Sequence, residues 1–150
     1  MRISLVFPDN DSRVNDLAGI MNKVWQDGGA EVSLLKSMHG SDNHRAAFNC
    51  FKRSDLIVLG SSTLGWSGGI SRELEDIIRR QNLVEGRRVA VFIAGGFLGS
   101  SRALTRIMGL VEECGGFLFD FEIIKNSHNA EAFARRLLKL NQADAGIIPS

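Results

Sequence analysis

The stretch Asp55–Ile78, DLIVLGSSTLGWSGGISRELEDII, passes from strand to glycine-rich loop to helix without a spare residue, and the rest of the chain is built around it. Leu56 to Leu59 is a run of bulky aliphatics after a polar start, which fits a central parallel strand buried on both faces, and Gly60 is expected to break it. Leu74, Ile77 and Ile78 then recur at helical spacing. Ser71 is placed to cap that helix, and Glu73, Glu75 and Asp76 put negative charge where the helix dipole favours it. Between the two elements, Ser61–Gly69 holds three glycines, three serines, one threonine and one large aromatic, Trp66. Ligands of open α/β sheets sit at the carboxyl ends of strands, so a small, hydroxylic loop with one indole suits a flat ring. A plain connector with one surface aromatic would read the same way.

The alternation recurs along the whole chain. Arg2–Phe7 is a strand ended by Pro8, Asp9, Asn10 and Asp11. Val14, Leu17, Ala18, Met21, Val24 and Trp25 form one helical stripe that closes at Gly28-Gly29. Glu31–Leu35 is a second strand, and Ala46, Ala47, Cys50 and Phe51 mark a short helix before the central strand. Arg87–Ala94 is a fourth strand leaving through Gly95-Gly96. Leu104, Ile107, Met108 and Val111 stripe a helix stopped at Gly115-Gly116. Phe117–Ile124 is a fifth strand, and Phe133, Ala134, Leu137 and Leu138 mark a last helix before a loose tail, Asp144–Ser150.

Parallel neighbours need crossover helices, so five strands alternating with five helices predict a three-layer α/β sandwich with a parallel sheet, and the order 2-1-3-4-5 is expected for it. The topological switch point then falls between the first and third strands. Its crevice is lined by Pro8–Arg13, Gly60–Ile70 and Gly95–Ser101, the three loops richest in Gly, Ser, Asp and Asn.

Composition closes off other classes. At 150 residues, 44% hydrophobic and 23% charged, the chain reads as one soluble domain over 1–150. Eighteen basic against seventeen acidic residues leave a net charge of +1, so no strong field draws it to nucleic acid or a membrane. MRISLVFPDN is too short for a signal-peptide core, and Val89–Leu98 is half of a membrane span, so a cytoplasmic location is expected. Cys50 and Cys114 lie outside any metal or CxxC spacing and read as inert buried thiols. His39, Asp42 and His44 sit close together, but in what reads as a solvated loop rather than a metal site.

GSSTLGWSGGISRELEDIIRR and AGGFLGSSRAL resemble the third-strand and fourth-strand loops of the flavodoxin-like family, the flavodoxins and related NADPH-dependent FMN reductases. The order and length of elements agree over nearly the whole chain. The resemblance implies a flavodoxin-like fold and a non-covalent FMN that moves electrons or hydride, with NADPH as a conceivable reductant. It also implies a redox partner protein or small-molecule acceptor, and leaves a homo-oligomer open. Carried over residue by residue, Ser62, Thr63, Leu64, Gly65 and Trp66 form one wall around the isoalloxazine ring. Gly95, Gly96, Phe97, Leu98 and Gly99 form the other. Trp66 is the candidate to stack on the ring, with Phe97 a partner. No catalytic side chain is assigned, since the flavin carries the chemistry.

The first loop departs from that family. Flavodoxins hold the FMN phosphate with a Ser/Thr-x-Thr-Gly-Asn-Thr loop, and Asp9, Asn10, Asp11, Ser12, Arg13 and Val14 stand in its place. Asn10, Ser12 and Arg13 are the residues carried over as cofactor-binding there, while the carboxylates would repel a phosphate unless Arg13 compensates or they point away. Capping of the first helix by Asp11 or Ser12 explains the loop without a ligand. A second anion site is conceivable at Gly95, Gly96, Gly99, Ser100, Ser101 and Arg102. Two alternatives therefore stand beside the redox reading: a flavodoxin-fold interaction module that binds no flavin, and an enzyme acting on a nucleotide through Arg102. A phosphoacceptor receiver is excluded, because Gly60 and Ser61 stand where its aspartate must be. A dinucleotide-binding domain is excluded too, because PDNDSRV contains no glycine.

Overall fold

The computed structural model describes residues 1–8, 11–37, 45, 49–63, 69–70, 72–79, 84–95 and 99–146. Five strands, β1 (Arg2–Pro8), β2 (Glu31–Ser37), β3 (Leu56–Ser62), β4 (Arg88–Ala94) and β5 (Phe117–Ile124), form one parallel sheet of order β2-β1-β3-β4-β5. Helices α1 (Ser12–Asp27), α2 (residues 49–53), α3 (Arg72–Arg79), α4 (Ser100–Glu113) and α5 (Ser127–Gly146) cover it.

A strand in the middle of such a sheet must be apolar on both faces, and β3 is. Ile57 and Leu59 enter the core under α2, α3 and α4, with Phe51, Leu74, Ile77, Ile107 and Val111. Leu56 and Val58 face the opposite core, built with Val14, Met21 and Trp25 of α1 and Phe133 and Leu137 of α5. The α1 stripe is buried as its spacing requires, at Val14, Leu17, Ala18, Met21 and Trp25. Trp25 adds a polar tie: its indole N–H donates to the Ala134 carbonyl at 3.1 Å, joining α1 to α5 within the apolar layer. At the amino edge of the sheet, Asp55 accepts from the Arg2 backbone N–H at 2.7 Å and so pins the start of β3 to the start of β1.

Three features differ from the sequence reading. The third strand does not break at Gly60 but runs on through Ser62, pairing Gly60 with Phe92 and Ser62 with Ala94. A Cβ at Gly60 would overlap the Phe92 ring, so the glycine clears space for a neighbouring strand's aromatic. The tail expected from Asp144 is helical up to Gly146, because α5 continues through it. Cys50 and Cys114 are free but only half-buried, packed at the margin of the core under α2, α3 and α4. Partial burial raises the Cys114 thiol pKa, against the opposing pull of Arg79.

Gly60→Ala is expected to destabilise the protein by about 1–3 kcal/mol through overpacking against Phe92. In denaturant unfolding, the double variant Gly60→Ala/Phe92→Leu should lose less than the sum of its singles, because the smaller side chain leaves room for the new methyl.

Candidate functional site

The carboxyl edge of the sheet is organised from the start of α1. An α-helix begins with four backbone N–H groups that have no partner within the helix, and Asp is among the side chains best suited to satisfy them. Asp11 is the N-cap, with extended backbone (φ −112°, ψ 106°). Its Oδ1 accepts from the N–H of Arg13 at 3.1 Å and of Val14 at 3.2 Å. The residue is held from below as well, since the Asn15 N–H and side-chain amide both donate to the Asp11 carbonyl, at 3.0 and 2.8 Å.

The second carboxylate oxygen, Oδ2, turns away from the helix and accepts from the Ser62 hydroxyl at the end of β3. Arg13 crosses further: its guanidinium donates to the Gly95 carbonyl, just past the end of β4. The Thr63 hydroxyl in turn lies 3.4 Å from that of Ser100, the first residue of α4. The Asp11–Ser62, Arg13–Gly95 and Thr63–Ser100 contacts thus span the exits of β1, β3 and β4. Asp11 and Ser62 are 51 positions apart in sequence, and Arg13 and Gly95 are 82.

Of the thirteen residues carried over as cofactor-binding, Ser12, Arg13, Ser62, Thr63, Gly95 and Gly99 are described, and they gather at this edge. Asn10, Leu64, Gly65, Trp66, Gly96, Phe97 and Leu98 lie outside the described residues, as do Asp9 and the cluster His39, Asp42 and His44. Gly95 is buried, its N–H donates to the Ile124 carbonyl at 2.8 Å, and a Cβ there would overlap Ile123. Its lack of a side chain therefore serves the packing of β4 against β5. Gly99 is the N-cap of α4 in the left-handed conformation (φ 94°), with no side-chain cap hydrogen bond. The Asp11–Ser62 and Arg13–Gly95 links were not among the sequence expectations, and no local pattern signals contacts over such separations. A separate pocket of about 280 Å³ opens at the opposite, amino edge, lined by Arg2, Ser33, Asn49 and Arg53 among others. The candidate site is at the carboxyl edge, where the strand order puts the switch point.

Solved structures share this arrangement of sheet and helices. A flavodoxin from Pseudomonas aeruginosa superposes with a TM-score of 0.70 at 17% identity, covering 93% of this chain and 98% of its own. The chain has the flavodoxin-like fold. Flavodoxin 2 from Bacillus cereus gives a TM-score of 0.73 at 19% identity, with 93% and 99% covered. A flavone reductase gives 0.74 at 13% identity, over 97% of this chain and 65% of that one. No family model matches the sequence, and no curated protein does. Among the described residues, no helix of this flavodoxin-like chain is long and apolar enough to cross a membrane.

Asp11→Ala removes an N-cap and should cost about 1–2 kcal/mol in denaturant unfolding. A double-mutant cycle with Ser62→Ala should give a coupling energy of about 1.5–3 kcal/mol, as expected for a hydrogen bond to a charged acceptor in a partly buried place. Additive losses would mean that the two side chains do not act on each other.

Proposed function

We propose that this chain is a redox protein that carries a non-covalent flavin at the carboxyl edge of its sheet and exchanges electrons with a partner protein or a small-molecule acceptor. The observation that carries this is the Thr63–Ser100 contact at 3.4 Å, because it sets the exits of β3 and β4 side by side. Loops 64–68 and 96–98, the two walls of a ring site in the flavodoxins that the chain resembles, depart from these exits. When bound, a flavin supplies reversible one- or two-electron transfer.

The chain's own part is to bind, orient and shield. Ser62 and Thr63 are half-buried residues at the end of β3, and their hydroxyls suit the polar edge of a flat ring. Trp66 is the residue to stack on it. Those features fit the ring end of FMN. The phosphate end does not fit, because the α1 amides that would meet it already bind Asp11. That same observation favours a second reading, an interaction module of flavodoxin fold that takes no flavin.

Titration of the flavin-free protein with FMN and with riboflavin, followed by flavin fluorescence and absorbance, separates the two readings. The redox reading expects quenching with a dissociation constant in the micromolar range or below for at least one flavin. Trp66→Ala should weaken it about tenfold through lost stacking. An unchanged spectrum with both flavins would overturn this reading and leave the interaction module.

A further inference from the structure

Asp11, at the start of α1, departs from the phosphate loop of the family that the chain resembles, and its hydrogen bonds give it a role. In doubly wound α/β sheets, the N–H groups opening the helix after the first strand are the natural seat of a ligand phosphate. Here the Arg13 and Val14 N–H groups both donate to Asp11 Oδ1, and the Ser62 hydroxyl donates to Oδ2. A carboxylate of the protein itself thus has three donors at that seat. It is not loosely placed, because two hydrogen bonds from Asn15 fix its backbone carbonyl. The Arg13 guanidinium reaches across the crevice to donate to the Gly95 carbonyl and keeps its charge there.

A phosphate monoester taking the Arg13 and Val14 N–H groups would have to displace the carboxylate from them and then sit within a few ångströms of it. Two like charges at that range in a partly desolvated site are strongly unfavourable. A neutral polyol chain meets the opposite situation. Its hydroxyls can donate to the Asp11 carboxylate, which is an acceptor with lone pairs to spare, and accept from hydroxyls such as that of Thr63. We infer that Asp11 stands in for a ligand phosphate at the start of α1, so that the crevice takes the dephosphorylated flavin, riboflavin, in preference to FMN. The ligand named here rests on the flavin reading above, whereas the exclusion of phosphate rests on the hydrogen bonds alone.

The test uses the full chain, stripped of flavin, with two independent readouts. In the first, riboflavin and FMN are titrated into the wild type and into Asp11→Asn, which keeps the cap and removes the charge. The wild type should bind riboflavin at least about tenfold more tightly than FMN. In Asp11→Asn the preference should fall about tenfold or reverse, mostly through tighter FMN. Asp11→Ser, a smaller neutral cap, should behave alike and guards against a folding defect in one variant. In the second readout, inorganic phosphate is titrated while the backbone amide resonances of Arg13 and Val14 are followed by NMR. They should stay in place in the wild type and move in Asp11→Asn.

Equal or tighter binding of FMN by the wild type would overturn the inference, as would a preference unchanged by either substitution. Phosphate shifting the wild-type amides as it does those of Asp11→Asn would overturn it as well. Binding of neither flavin would overturn the redox reading together with the riboflavin assignment. The phosphate readout would then still decide, on its own, whether Asp11 excludes the anion.

Discussion

A parallel sheet covered by helices on both faces has no side to give to water, and that constraint arranges everything else in this molecule. Ile57 and Leu59 of β3 point into one apolar layer and Leu56 and Val58 into the other, so the central strand has no position for a polar side chain until it nears its end. Polar chemistry is therefore pushed to the two edges. At the amino edge it is used for anchoring, as Asp55 takes the Arg2 N–H. At the carboxyl edge of the sheet of order β2-β1-β3-β4-β5, the connections leaving β1 and β3 turn to opposite faces, and hydroxyls, a carboxylate and a guanidinium meet in the gap.

How far the sequence discloses this depends on the range of each interaction. Strands and helices are set by periodicity within a dozen residues, and the alternation of the two patterns is enough for a parallel sheet covered on both faces. The α1 stripe from Val14 to Trp25 is legible because each member faces the same layer. Gly60 misleads because its reason lies in another strand: alone it reads as a breaker, but beside Phe92 it is the residue that lets β3 continue. The capping of α1 by Asp11 could be weighed from local sequence, since the donors are two and three residues away. Its second bond, to Ser62, could not, because only the completed sheet brings the two together. The half-burial of Cys50 and Cys114 has the same origin, as it depends on where the margin of a core falls and not on residue type.

The glycines at strand exits show how one residue type can answer to two causes. A glycine-rich loop at the carboxyl edge invites a ligand reading, because a backbone without side chains can approach a ring or a phosphate closely. At Gly60 and Gly95, however, the space a Cβ would take is filled from within, by Phe92 and Ile123. Gly95 has also given its N–H to Ile124 and its carbonyl to Arg13. Neither glycine therefore argues for a ligand, and the case for a site rests on the hydroxyls of Ser62, Thr63 and Ser100 and on the convergence of three exits.

The start of α1 is where stability and binding draw on the same atoms. The Arg13 and Val14 amides can serve a ligand's anion or the protein's own, but one carboxylate oxygen already holds both. A helix opened by a ligand phosphate is stabilised by that ligand in proportion to its occupancy. A helix opened by Asp11 needs no such help, and the gain from a built-in cap, about 1–2 kcal/mol, is present in the empty protein. The cap also stabilises the sheet's switch point, because the oxygen not used by the helix binds Ser62 of β3. A fold secured in this way can hold its crevice in shape before any ligand arrives, and whatever enters must adapt to a negative charge that is part of the frame.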